Sequence, residues 1–192
     1  MHNKILQIIE DKLLMFINIP NNPKKIDLIK DIINILSNIA ISDKKNVELL
    51  ISSKIPQLIK QIGNISNNNK VLIEVVIFFN NLIINSTKEN FDLIINYEPF
   101  RAFENLLKST MIDMGIYYSL SGIFEILNRI TWVKKEKICW LDVIINSNMA
   151  KIESFCFNEN EKIRGKAKTL VEKYNQVFNA DDGNVKMETE NF

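Results

Sequence analysis

Apolar residues recur along this chain at the three-to-four-residue spacing of helices. Between Ile26 and Ile41 the residues Ile29, Ile32, Ile33, Leu36 and Ile39 fall on one side of a helix, and Leu28 and Ile35 add apolar character to another. From Leu72 to Ile84 the pattern repeats, with Leu72, Val75, Val76, Phe79, Leu82 and Ile83 on one broad face. Its Val, Ile and Phe would also suit a strand, but so long a run without a turn signal predicts a helix. A helix that is oily almost all round is buried between neighbours. Shorter helices are predicted over residues 45–52, 55–62, 89–96 and 99–107. Pro56 and Pro99 sit at first-turn positions, where a missing N–H costs nothing.

The order short helix, medium helix, long buried helix recurs. The segment Asp31 to Asn38 is echoed by Glu74 to Asn81, 43 residues on, and again by Tyr118 to Glu125, 44 residues further. A period of that length with three helices per unit is the signature of armadillo-type repeats, whose units bury their faces only by stacking. The expectation is an all-α, armadillo-type (ARM/HEAT-like) right-handed superhelical solenoid of about four repeats over residues 1–178. An ordinary helical bundle is the alternative arrangement of the same helices. Residues 179–192 lose the periodicity, carry Asp181, Asp182, Glu188 and Glu190, and are expected to form an acidic, disordered tail.

Composition narrows the chemistry. Five Gly and four Pro in 192 residues are too few for a sandwich or barrel, and 46% apolar residues supply a real core. A net charge of +1 gives no global field for nucleic acid or anionic lipid. His2 is the single histidine, which removes His-based triads and His-rich metal sites. Cys139 and Cys156 form no CxxC pair, no secretory leader is visible, and the run from Val71 to Ile84 is too short to span a bilayer. Glycines are isolated, so no phosphate loop is present. These features lead us to expect an intracellular binding protein with no cofactor, no metal, no nucleic acid, no membrane and no catalysis. Ile and Asn supply about three residues in ten, so an Asn-rich stretch such as Asn67 to Asn69 reads as loop filler. Lys162, Arg164, Lys166 and Lys168 share their helix with Glu159, Glu161 and Glu172 and read as a solvated, salt-bridged surface. Lys134, Lys135 and Lys137 read as a loop before a helix. Trp132 and Trp140 read as packing residues, as do Tyr117, Tyr118 and Phe124.

Several segments carry a more specific likeness. Lys151 to Asn160, followed by Ile163, Lys166, Ala167 and Leu170 to Tyr174, is similar to a K-I-E…H-E-N…I…K-A…I-E-K-Y pattern. Leu36-Ser-Asn-Ile-Ala40 is similar to a W-x-x-S-N-I-x motif, and Ser119-Leu-Ser-Gly-Ile123 to C-L-x-G-L. In this joint register the chain, from about Ile5 to Phe178, resembles the C-terminal armadillo repeats of the importin alpha (karyopherin alpha) family, in a divergent and truncated form.

That resemblance implies a nuclear transport adaptor, in cytoplasm and nucleus, holding basic nuclear-localisation-signal peptides in a groove. Asn38 and Asn81 match its backbone-clamping positions, while Asp31 and Glu74 match acidic positions one turn before its Trp sites. The Trp sites hold Asn34 and Ile77, and Glu125 stands where a third Asn is expected. Each missing ring removes about 0.5–2 kcal/mol of cation–π attraction, so the site is expected to be weak. The resemblance further implies a nuclear export receptor or a nucleoporin at the last repeats. No importin-beta-binding segment is visible. The competing expectation is an armadillo-repeat protein-interaction scaffold that has lost signal-peptide binding.

Overall fold

The computed structural model of the protein describes residues 2–18, 23–109 and 112–179. Among these the order is α1 (His2–Ile17), α2 (Pro23–Ser42), α3 (Lys44–Ile51), α4 (Ile55–Ile65), α5 (Asn69–Asn85), α6 (Lys88–Asn96), α7 (Pro99–Ser109), α8 (Asp113–Asn128), α9 (Lys135–Ser147), α10 (Met149–Ser154) and α11 (Glu161–Phe178). Short polar side chains set the starts. Asp43 accepts a hydrogen bond from the Asn46 amide at 2.7 Å, Asn68 from Lys70 and Val71, and Asn160 from Lys162. Such caps contribute about 1 kcal/mol each. Pro99 opens α7 from a corner made by Glu98, whose φ of 53° is held by ion pairs to Lys60 (3.0 Å) and Arg101 (3.1 Å).

The long helices α2, α5, α8 and α11 pack in series, each on the next. Behind them α1, α4 and α7 form a second row, and α3 packs on α6. Three units of three helices (α3–α5, α6–α8, α9–α11) therefore follow a leading pair, α1–α2. Polar ties bind neighbouring units one repeat apart. The Lys54 amide donates to Glu10 (3.0 Å), Tyr97 Oη to the Ile51 carbonyl (3.2 Å), Lys137 Nζ to Asp92 (2.7 Å) and Asn160 Nδ2 to Asp113 (2.6 Å). Within the last unit Tyr174 Oη donates to Asp142 at 2.8 Å. Burial, seconded by that carboxylate, pushes the phenol up to about 12.

The core is continuous along the stack and includes Phe78, Phe79, Phe91, Phe100 and Phe103. Glycine enters where helices come close, because Gly122 faces the Phe103 ring and Gly115 faces Leu106 and Ile73. Trp132 and Trp140 pack edge-on against Phe91 and Phe100, at 5.8 and 6.4 Å, as read from the sequence. Two readings need correction. Lys135 and Lys137 lie inside α9 rather than in a loop, since the Lys137–Asp92 pair ties the start of that helix to α6. In the basic cluster, Arg164 donates to the carbonyls of Asn158 and Glu159, and Lys166 Nζ lies 4.8 Å from the Phe124 ring centre. Among the described residues these two cations contact backbone carbonyls and the Phe124 ring rather than carboxylates. The expected tail falls at residues 180–192, outside the described residues; Asn179 caps α11.

Candidate peptide-binding ledge

The stacking of α2 on α5 and α5 on α8 brings repeat-equivalent residues side by side. Asn81 lies in register with Asn38, and its Nδ2 donates to the carbonyl of Ser37, the residue before Asn38, at 3.2 Å. That contact leaves Asn81 buried, while Asn38 is exposed because no unit precedes α2 among the described residues. Asn38 Nδ2 donates instead within its own helix, to Asn34 Oδ1 at 3.0 Å. The Asn34 side chain lies near enough to the Glu74 carboxyl across the helix pair to lower its pKa. Asp31 is exposed and pairs with Lys30 at 3.3 Å. All four residues singled out from sequence, Asp31, Asn38, Glu74 and Asn81, thus sit along one α2–α5 seam. Their neighbours are Lys30 for Asp31, Asn34 for Asn38 and Glu74, and the Ser37 carbonyl for Asn81.

Glu74 carries the main electrostatic tension. It is buried, and its Oε2 has no hydrogen-bond partner among the described residues. Burial raises its pKa from the usual 4.5; the neighbouring Asn34 amide and Lys30 oppose this, and Asp31 adds to it. As pH rises past the ordinary value, the unfolded chain ionises first and binds fewer protons than the folded one. Stability therefore falls until the folded carboxyl itself ionises. Glu74→Gln is expected to melt at a higher temperature than the unmodified chain near about pH 7, the two converging below about pH 4. A lower melting temperature for Glu74→Gln at neutral pH would show that the seam favours the ionised carboxylate.

The position equivalent to the clamping Asn in the third unit is filled differently. Glu125 is half-buried and pairs with Arg129, whose guanidinium also donates to the Ile84 carbonyl of α5 at 3.2 Å and lies 5.5 Å from the Trp132 ring centre. No motif pointed to Arg129; its only trace in the sequence is the four-residue spacing from Glu125. Deleting it leaves Glu125 half-buried without its cation. One turn further along, Ile41, Ile84 and Asn128 stay exposed on three successive long helices, and Ile77 is half-buried. The open row of the ledge is thus aliphatic and amide in character rather than aromatic and acidic. Among the described residues no cluster of three His, Cys, Asp or Glu could hold a metal ion, and no helix is long and apolar enough to cross a membrane.

No protein-family model matches the chain, and no curated protein matches it significantly. Solved structures do. A designed armadillo repeat protein superposes with a TM-score of 0.67 at 15% identity, covering 88% of this chain and 63% of its own. A computationally designed armadillo repeat protein for modular peptide recognition gives 0.68 at 14% identity with the same coverages. The fold is an armadillo-type solenoid. A third design, solved in complex with the peptide (KR)4, gives 0.53 at 16% identity over 90% of this chain and 87% of its own. The chain spans about 63% of the length of the first two designs.

Proposed function

We propose that this protein is an armadillo-type interaction scaffold that holds an extended segment of a partner along the ledge of its long helices, binding without catalysis. The observation carrying this reading is the Asn81 contact. A side-chain amide that would clamp a peptide backbone is already donated to the Ser37 carbonyl, while the row left open, Ile41, Ile84 and Asn128, suits apolar and amide contacts. The design that binds (KR)4 supports a peptide as the kind of partner such a ledge takes.

The second reading is the importin-alpha-like transport adaptor, moving between cytoplasm and nucleus, with basic signal peptides at Asp31, Asn38, Glu74 and Asn81. It would place an export receptor or nucleoporin at the last repeats. Its support is the motif run from Lys151 to Tyr174 and the exposure of Asp31 and Asn38. Titration with a bipartite Lys/Arg peptide separates the two. The scaffold reading expects a Kd of tens of micromolar or weaker, because burial has taken Asn81 and Glu74 out of the open groove. Sub-micromolar binding abolished by Asn81→Ala would establish the adaptor reading instead.

A further inference from the structure

Each seam between successive long helices is marked by a contact. Asn34 lies beside Glu74, and Asn81 bonds Ser37, where α5 meets α2. Arg129 reaches Ile84 where α8 meets α5, and Lys166 Nζ lies 4.8 Å from the centre of the Phe124 ring where α11 meets α8. The repeat extends to α11, since the buried Gly115, Ser119, Gly122 and Ile126 are matched by the buried Ile163, Ala167, Leu170 and Tyr174. Two rows of equivalent residues then run along the ledge. One reads Asp31, Glu74, Tyr118, Lys166, and the other Asn38, Asn81, Glu125, Lys173. The ledge therefore changes sign along its length, from carboxylates on α2 and α5 to cations on α11.

The cations at that end are unanswered. Elsewhere Lys60 pairs with Glu98, Arg129 with Glu125 and Lys137 with Asp92. Lys166 and Lys173 are half-buried, yet among the described residues neither makes an ion pair. The acids of the same junction are engaged elsewhere. Glu125 is held by Arg129, Asp113 accepts from Asn160, and Glu172 lies with Lys168 near Cys156, on another side of α11. Beside the two lysines stands half-buried aromatic surface. Phe124 is joined by Tyr117, two turns earlier on the same side of α8, which meets Tyr118 edge-on at 5.7 Å. Positive charge bordered by rings is the complement of a carboxylate next to an apolar or aromatic side chain.

We propose that the α8–α11 seam is an anion-binding subsite of the ledge, where Lys166 and Lys173 take the carboxylate of an aspartate or glutamate in the extended partner segment, and Tyr117 and Phe124 flank its neighbouring side chain. The assignment rests on the scaffold reading above and adds the chemistry of its partner. Long helices packed about 8–10 Å apart put this seam about 16–20 Å from the α2–α5 seam, or about five or six residues of extended chain. The acid thus belongs at one end of the bound segment, because Asp31 and Glu74 repel it at the other. The same reversal of sign disfavours a nucleic-acid strand along the ledge, whose charge at every step would leave the lysines for carboxylates.

The test selects the partner chemistry without presuming a sequence. Random segments of about twelve residues, long enough to cross the ledge, are displayed on phage and selected on the full chain. The recovered segments, made as synthetic peptides, are expected to carry Asp or Glu near one end. They should bind the double variant Lys166→Gln, Lys173→Gln about fivefold or more weakly than the unmodified chain, a difference that fades at high salt. Lys168→Gln, on another side of α11, should leave affinity unchanged. Circular dichroism confirms that each variant is folded, and the salt dependence of the unmodified chain reads the same charges without any substitution. Peptides that lose binding with Ile41→Ser and Ile84→Ser but ignore both lysines and salt would overturn the subsite and leave the scaffold reading standing. No peptide sensitive to those two changes would overturn both. An oligothymidylate that displaces the peptides at lower concentration would give the lysines to a nucleic acid instead. Peptide binding seen only after residues 180–192 are deleted would give them to the chain's own acidic tail.

Discussion

Replacing Gly122 with leucine is expected to cost about 3 kcal/mol or more of unfolding free energy. A Cβ at that position would stand 2.5 Å from Cζ and 2.7 Å from Cε2 of Phe103. The ring cannot retreat easily. Phe103 is fully buried and meets Phe100 edge-on at 6.1 Å, and Phe100 in turn meets Trp140. Gly122→Ala should be milder, because it adds only the Cβ and none of leucine's further carbons, and the roughly 1 kcal/mol of helix propensity gained over glycine offsets part of that crowding. Urea melts of Gly122→Leu, Phe103→Leu and the pair check the cause. If the ring is the obstacle, the double change is less destabilising than the two costs added together. Simple additivity would place the damage elsewhere.

The second expectation compares one position in two units. Phe78 is fully buried and packs edge-on with Phe79 at 5.4 Å, so Phe78→Ala should cost about 3–5 kcal/mol. Its equivalent 43 residues earlier, Ile35, is 55% exposed, and Ile35→Ala should shift stability by about 0.5 kcal/mol or less. A ratio of about six or more between equivalent side chains would be the energetic signature of a position packed in one unit and open in the other. Similar costs at both sites would mean that this face of α2 is covered in solution.

Much of this architecture is written in the chain, and the reason is physical. Third helices of a stack touch neighbours on nearly all sides, so they must be apolar nearly all round, and the segments 26–41 and 72–84 announce themselves by that excess. Repeat length is legible because Asp31 to Asn38 and Glu74 to Asn81 keep the same order of acid, aliphatic and amide. The last unit is harder to place. Gly115 and Ile163 are equivalent at 48 residues rather than 43 or 44, and most of the extra length enters before α9, where residues 129–134 with the 3₁₀ turn Ile130–Trp132 stand in place of residues 86–87 between α5 and α6. The fate of individual polar groups was not legible. Asn38 and Asn81 are the same residue in the same register, yet one is exposed and the other is bonded to Ser37, a difference set by what lies upstream in space. Likewise Leu28 and Ile35 read as core residues and stand in solvent. Lys135 and Lys137 read as loop because three lysines dominate a short window, while the partner that draws Lys137 into a helix, Asp92, lies 45 residues away.

The polar ties described above, Glu10 to Lys54, Ser37 to Asn81, Ile51 to Tyr97, Ile84 to Arg129, Asp92 to Lys137 and Asp113 to Asn160, all reach one unit over, at separations of 44 to 47 residues. A chain fastened in this way behaves as a row of links, each sensing only the adjacent ones. Deuterium should therefore enter the amides of α1 first, where a single junction holds the pair, and those of α5 last, where units on both flanks must let go. Heat or force would open such a row link by link from units held at one junction, and those held on both flanks would outlast them.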